Sequence, residues 1–183
     1  APPGDTQGDI PAGVPIYTVD FDTPELPFPI CGMSDVMPYP STRYRDLTPS
    51  MLKAFERAFA NAIDRAVTEF RPDLVLCHHL YLVTALAREC VRGVPVVAVC
   101  HSTDLRQLRS HALERDRIVR AVRRLDAVFA LHAEQAEADW PGVRRRCRSH
   151  PRDWDGLRPS RLLPRRKRGE AAGIACVRGQ DLL

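Results

Sequence analysis

The chain has 183 residues, 44% of them hydrophobic, and a formal net charge of +4. That length and apolar share suit one globular domain plus a tail. No apolar run approaches the roughly 20 residues of a membrane span, so no transmembrane segment is expected. The start lacks the basic, apolar and small-residue order of a secretory signal. It opens with Ala1-Pro2-Pro3-Gly4 rather than Met, which suggests a cut or mis-started N-terminus.

Residues 1–13 are rich in Pro and Gly and read as irregular. Residues 14–21, Val14-Pro15-Ile16-Tyr17-Thr18-Val19-Asp20-Phe21, alternate and are β-branched, which predicts a short strand. Residues 22–48 carry Pro24, Pro27, Pro29, Pro38 and Pro40 and read as a long loop, a length that often goes with function. Thr48-Pro49 then sets a helix start. Leu52, Phe55, Phe59, Ile63, Val67 and Phe70 form one apolar stripe at helical spacing, and Arg71-Pro72 ends it.

From there strands and helices alternate. Leu74-Val75-Leu76-Cys77 is expected as a buried strand, apolar on both faces. Leu80 to Val91 reads as a helix closed by Gly93, and residues 94–100 as a second buried strand. A long helix from Ser102-Thr103-Asp104 to about Arg124 follows, with Thr103 or Asp104 as its cap. Residues 127–131 make a third buried strand, and a short helix should begin near Ala133. Short connections between alternating elements imply right-handed crossovers and a parallel sheet. The fold class is therefore α/β: a Rossmann-like parallel sheet flanked by helices, over residues 1–140.

Residues 141–183 break the pattern. They hold 12 Lys+Arg against 4 Asp+Glu, whereas residues 1–140 hold 15 against 19. Two readings stand for this Arg/Pro-rich stretch. One is a disordered basic tail that binds nucleic acid. The other is out-of-frame translation of a GC-rich gene, which the excess of Arg over Lys favours. Nucleic acid is accordingly not the expected partner. The six cysteines (Cys31, Cys77, Cys90, Cys100, Cys147 and Cys176) form no CxxC pair and show no zinc-site spacing. They read as reduced thiols in a cytoplasmic protein, with no metal and no cofactor.

In parallel sheets ligands sit beyond the carboxyl ends of the strands. Three polar clusters fall there: His78-His79, His101-Ser102-Thr103-Asp104, and His132. A histidine at a strand end can donate or accept a hydrogen bond to a hydroxyl or a phosphate, and the N–H groups opening the next helix can hold an anion. The plainer alternative is that Ser102, Thr103 and Asp104 only cap a helix and His79 only begins one. His78 reads as strand-end packing, and His132 as either a helix start or a cleft wall. His111 reads as the solvated face of the long helix. His101 is the candidate catalytic residue, and His79, Ser102, Thr103 and Asp104 are the candidate substrate-binding residues. GxSxG, P-loop, HExxH and GxGxxG motifs are absent.

The stretches Arg71-Pro72-Asp73-Leu74-Val75-Leu76-Cys77-His78-His79, Pro95-Val96-Val97-Ala98-Val99-Cys100-His101-Ser102-Thr103-Asp104 and Asp126-Ala127-Val128-Phe129-Ala130 resemble the "PDvvhaH", "PvvaxxHgtd" and "aDavxa" strands of glycosyltransferase family four. The resemblance covers roughly residues 14–137 and implies the N-terminal half of a two-domain GT-B architecture, incomplete at both ends. It implies a retaining transfer of a sugar from a nucleotide-sugar donor to a sugar or other hydroxyl acceptor, without a catalytic metal. By position His101 would touch the donor sugar, and His79 would lie toward the acceptor. Ser102 stands where glycine is usual. The segment 32–39 would shape acceptor recognition. The resemblance also implies a second domain that binds the nucleotide, so this fragment is expected to be inactive alone. The alternatives are a non-catalytic sugar- or phosphate-binding accessory module, or nucleic-acid binding through the tail.

Overall fold

The structure is a computed structural model that describes residues 14–131 and the backbone of two short strands beyond them, Cys147–Arg148 and Cys176–Gly179. In chain order the elements are β1 (Ile16–Val19), β2 (Cys31–Gly32), β3 (Thr42–Arg43), α1 (Pro49–Phe70), β4 (Val75–His78), α2 (Leu82–Cys90), β5 (Val96–Cys100), α3 (Ser102–Ser110), α4 (Arg115–Val122), β6 (Ala127–Ala130), β7 (Cys147–Arg148) and β8 (Cys176–Gly179). A parallel sheet runs β4-β5-β6-β7, and β1 pairs with β8 and β2 with β3, both parallel. The expected parallel α/β sheet is present, with 75–78, 96–100 and 127–130 side by side.

Because β4, β5 and β6 neighbour one another in chain order, right-handed crossovers put every connecting helix on the same face. α1 packs on α2 and α2 on α4. Under them lie Val96, Ala98, Cys100 and Val128, in one core cluster with Phe55, Phe59, Leu82, Leu86, Ile118 and Val122. α1 begins as its sequence dictates: Met51 N donates to Thr48 Oγ1 at 3.3 Å and Pro49 occupies the first turn. It ends at Arg71, in the left-handed region at φ 53°, with Arg71 N bonded to Val67 O.

Three expectations need correction. β4 is not buried on both faces: it is the end strand of its sheet among the described residues, and Leu76, on the face turned away from the helices, is 53% exposed. The long helix is two. Leu113 N donates to His111 Nδ1 at 3.3 Å, Arg115 Nη2 donates to His111 O at 2.8 Å, and Glu114 sits at φ 47°, so the chain turns between α3 and α4. The 22–48 loop is partly regular and well packed. Thr42 ties β3 to the chain before β2 through Ile30 O (2.9 Å) and Pro29 O (2.7 Å). Leu26, Phe28, Ile30 and Tyr44 are buried, and Tyr44 meets Tyr81 edge-on at 4.7 Å. A Cβ on Gly32 would lie 2.6 Å from Met37 Cγ and 3.1 Å from Ser34 O, so glycine is required where this loop folds back.

The helix layer is stapled by Arg117 of α4. Its guanidinium binds Glu89 of α2 (2.7 Å at Nη2), Glu56 of α1 and Glu114 beside its own helix. Glu89 first, and then Glu56, raise its pKa further against the opposing effect of burial. Among the described residues no helix is long and apolar enough to cross a membrane. His132, the helix expected near Ala133 and almost all of the Arg/Pro-rich stretch lie outside the described residues. The two short strands described there line up along β6 and β1.

Candidate functional site

The carboxyl ends of β4 and β5 are adjacent, because His78 pairs in register with Val99. The residues just beyond them therefore meet. β4 stops because His79 turns into the left-handed region at φ 69°, a conformation that costs an L-residue about 1–2 kcal/mol. The turn is held by His79 N donating to Val99 O at 3.1 Å and by the Thr84 hydroxyl donating to His79 O.

At the centre lies Asp104, with no exposed surface. Its Oδ2 accepts from Leu80 N at 2.7 Å and from His101 N at 2.8 Å, and its Oδ1 accepts from His79 Nδ1 at 2.8 Å. One carboxylate thus joins the start of α3 to the turn before α2. The residue at the helix cap is His101 rather than Thr103 or Asp104; Asp104, in the first turn, reaches back to the His101 N–H. Thr103 Oγ1 is buried with no hydrogen-bond partner among the described residues, and Ser102 is exposed.

Three imidazoles surround this centre. The His79 and His101 rings are 4.2 Å apart with 34° between their planes, and His78 Nδ1 is 3.4 Å from His101 Nε2. His78 is exposed rather than packed, since it follows the open face of β4. Desolvation, then the neighbouring His79, lowers the His101 pKa against a smaller opposing effect of Asp104. His101 is thereby kept neutral at neutral pH, as a hydrogen-bonding group rather than a charge. The nearby thiols are not nucleophiles: burial pushes Cys77 up to about 11 and Cys31 to about 12.

A second network joins this site to the 33–45 segment. Gln107 of α3, 4% exposed, donates from Nε2 to Met33 O at 3.1 Å. Its Oε1 is 2.9 Å from His111 Nε2, which is also 3.2 Å from the Tyr81 hydroxyl. The Asp35–Arg45 ion pair, at 3.0 Å, braces the same segment. His111 is therefore a partly buried, bonded residue and not a solvated one, and burial lowers its pKa. Gln107, His111 and Tyr81 carried no motif; the i,i+4 spacing of Gln107 and His111 was their one trace in the sequence.

A parallel sheet with helices stacked on one face, and polar groups gathered past its strand ends, defines a Rossmann-like domain of the kind found in sugar transferases. The model of Glycosyltransferase Family 4 matches residues 19–165, and the chain belongs to that family. Neither curated proteins nor solved structures give a match. Glycosyl transfer is thus the general role that the family implies for this chain, with a sugar donor and an acceptor as partners.

Proposed function

We propose that residues 14–131 form the acceptor-side part of a transferase that moves a sugar from a nucleotide-sugar donor to a hydroxyl acceptor, with retention at the anomeric carbon. His101 faces the donor sugar, while His79 and the segment 32–39 face the acceptor. Ser102 and Thr103, at the opening of α3, border the donor. The observation that carries this reading is the meeting of His78, His79 and His101 at two adjacent strand ends. Imidazoles suit sugar hydroxyls, which both donate and accept. They do not suit the departing diphosphate, whose charge must be met by fixed positive groups. A lowered His101 pKa makes that imidazole a poor source of such charge, so the reading assigns the diphosphate to groups outside this cluster. On this reading the histidine cluster by itself is a half-site.

Titrating the purified 183-residue chain with a nucleoside-diphosphate glucose, and following the histidine ring resonances, tests this. The expected result is a shift at His101 that His101→Ala removes, with no release of nucleoside diphosphate. Absence of any response at His101 would overturn the donor role. Turnover by the chain alone, abolished in His101→Ala, would show that the whole site is present.

A further inference from the structure

Among the described residues Asp104 is the one charged side chain wholly removed from solvent, and its environment dictates more than a cap. A carboxylate offers only lone pairs. With Oδ2 occupied by the backbone N–H groups of Leu80 and His101, Oδ1 stands 2.8 Å from His79 Nδ1. The hydrogen of that contact must sit on Nδ1. In the neutral imidazole the other nitrogen, Nε2, then carries a bare lone pair. Nε2 has no hydrogen-bond partner among the described residues, and the His79 side chain is 30% exposed. The ring is held by its bond to Asp104 Oδ1 and by its face against His101 at 4.2 Å, on a backbone set at φ 69° by bonds at both N and O. A strained backbone persists only where its surroundings impose it.

We infer that Asp104 is a positioning residue that locks His79 in the Nδ1–H tautomer, so that the bare Nε2 receives a hydrogen bond from a hydroxyl of the acceptor. This rests on the sugar-transfer reading above and deepens it by fixing the chemistry of one contact. The group placed at His79 must be a donor. A sugar or polyol hydroxyl fits; an ether, an ester carbonyl or a carboxylate, which bring only lone pairs, would face lone pair against lone pair. Asp104 itself touches no ligand and acts through the imidazole.

The test uses the whole 183-residue chain labelled with ¹⁵N, its Asp104→Asn variant, and two probes: methyl glucoside and the same glucoside with every hydroxyl methylated. Two-bond ¹H–¹⁵N ring spectra report which nitrogen of His79 is protonated. In the native chain Nδ1 should carry the hydrogen, and methyl glucoside should displace the Nε2 resonance. The methylated probe should not. In Asp104→Asn the two backbone N–H groups still demand an oxygen. The new carbonyl must turn to them, and its amide then faces His79 Nδ1. That amide is a donor, so the tautomer should reverse to Nε2–H, with loss of the glucoside response. A purely structural contact would reverse in the same way, but the native chain would then give no response to methyl glucoside. Should the variant not fold, the native tautomer and the pair of probes decide alone. A hydrogen on Nε2 in the native chain, no response to methyl glucoside, or an equal response to both probes would each overturn the inference. Its failure is separable from that of the sugar-transfer reading, which is judged by the nucleotide sugar at His101.

Discussion

Asp104 and Arg117 are mirror images. Arg117 is a cation held by three carboxylates, each on a flexible side chain, and it remains 25% exposed. Asp104 is an anion held by two backbone N–H groups and one imidazole, with no exposure at all. The first ties α1, α2 and α4 together at the edge of water. The second fixes the backbone of two strand-end turns, one of them in a strained conformation. Partners that can rehydrate make a contact replaceable; partners that are main-chain groups of a buried turn do not. The contrast separates what holds the helix layer from what shapes the site.

Asp104→Ala should show the largest effect. It leaves the Leu80 and His101 N–H groups without an acceptor in a closed space, which costs about 3 kcal/mol or more. Denaturant unfolding measures it, and a loss smaller than that of Arg117→Met would break the contrast. Val97→Ala, in the middle of β5 and 2% exposed, supplies an apolar yardstick. Lost burial and a small cavity should cost about 1–3 kcal/mol. Arg117→Met keeps the aliphatic packing and lets the freed carboxylates turn to water, so about 1–2 kcal/mol is expected. That loss should shrink in high salt, whereas the loss at Asp104 should not.

The smallest change is expected at His101→Ala. The bond to Asp104 comes from the His101 backbone and survives, so stability should move by less than about 0.5 kcal/mol. A larger loss would place His101 in the fold rather than in the site. The same variant tests the pH dependence. His101 and His111 both have pKa values below the ordinary 6.5, burial being the first cause in each. As pH falls below that value the unfolded chain binds protons first. The contribution of these groups is therefore whole above 6.5 and is lost as pH falls through the lowered folded values. Thermal melts from neutral to mildly acid pH should record a declining midpoint, with a shallower slope in His101→Ala. An identical slope would show that His101 titrates alike in both states.

What could be read from the sequence was what rests on local rules. α1 was legible because Thr48-Pro49 and a stripe from Leu52 to Phe70 need nothing from the rest of the chain. β5 and β6 were legible as apolar runs bounded by helical periods. The break between α3 and α4 was not, because His111-Ala112-Leu113-Glu114 contains neither Gly nor Pro. The turn is made by an imidazole accepting from a backbone N–H two residues on, a local bond that histidine, unlike Gly or Pro, does not announce in the composition. The open face of β4 is hidden in the sequence for a related reason. Its residues are as apolar as those of a central strand, and only its place at the end of the sheet leaves Leu76 exposed. The meeting of His79, His101 and Asp104 at one end of the sheet followed from topology alone. That one carboxylate would take three N–H donors did not, since it depends on the left-handed turn at His79.

The chain-order arrangement of β4, β5 and β6 also has a meaning in time. Each strand finds its neighbour in the segment just synthesised, so a nascent chain can extend the sheet one strand at a time without waiting for its distant end. The contacts that close the site, from β4–α2 to β5–α3, belong to the first such step and precede β6. In pulsed hydrogen exchange during refolding, amides of residues 75–100 should gain protection no later than those of 127–130. The reverse order would mean that the sheet assembles from its far strand, with the histidine cluster formed last.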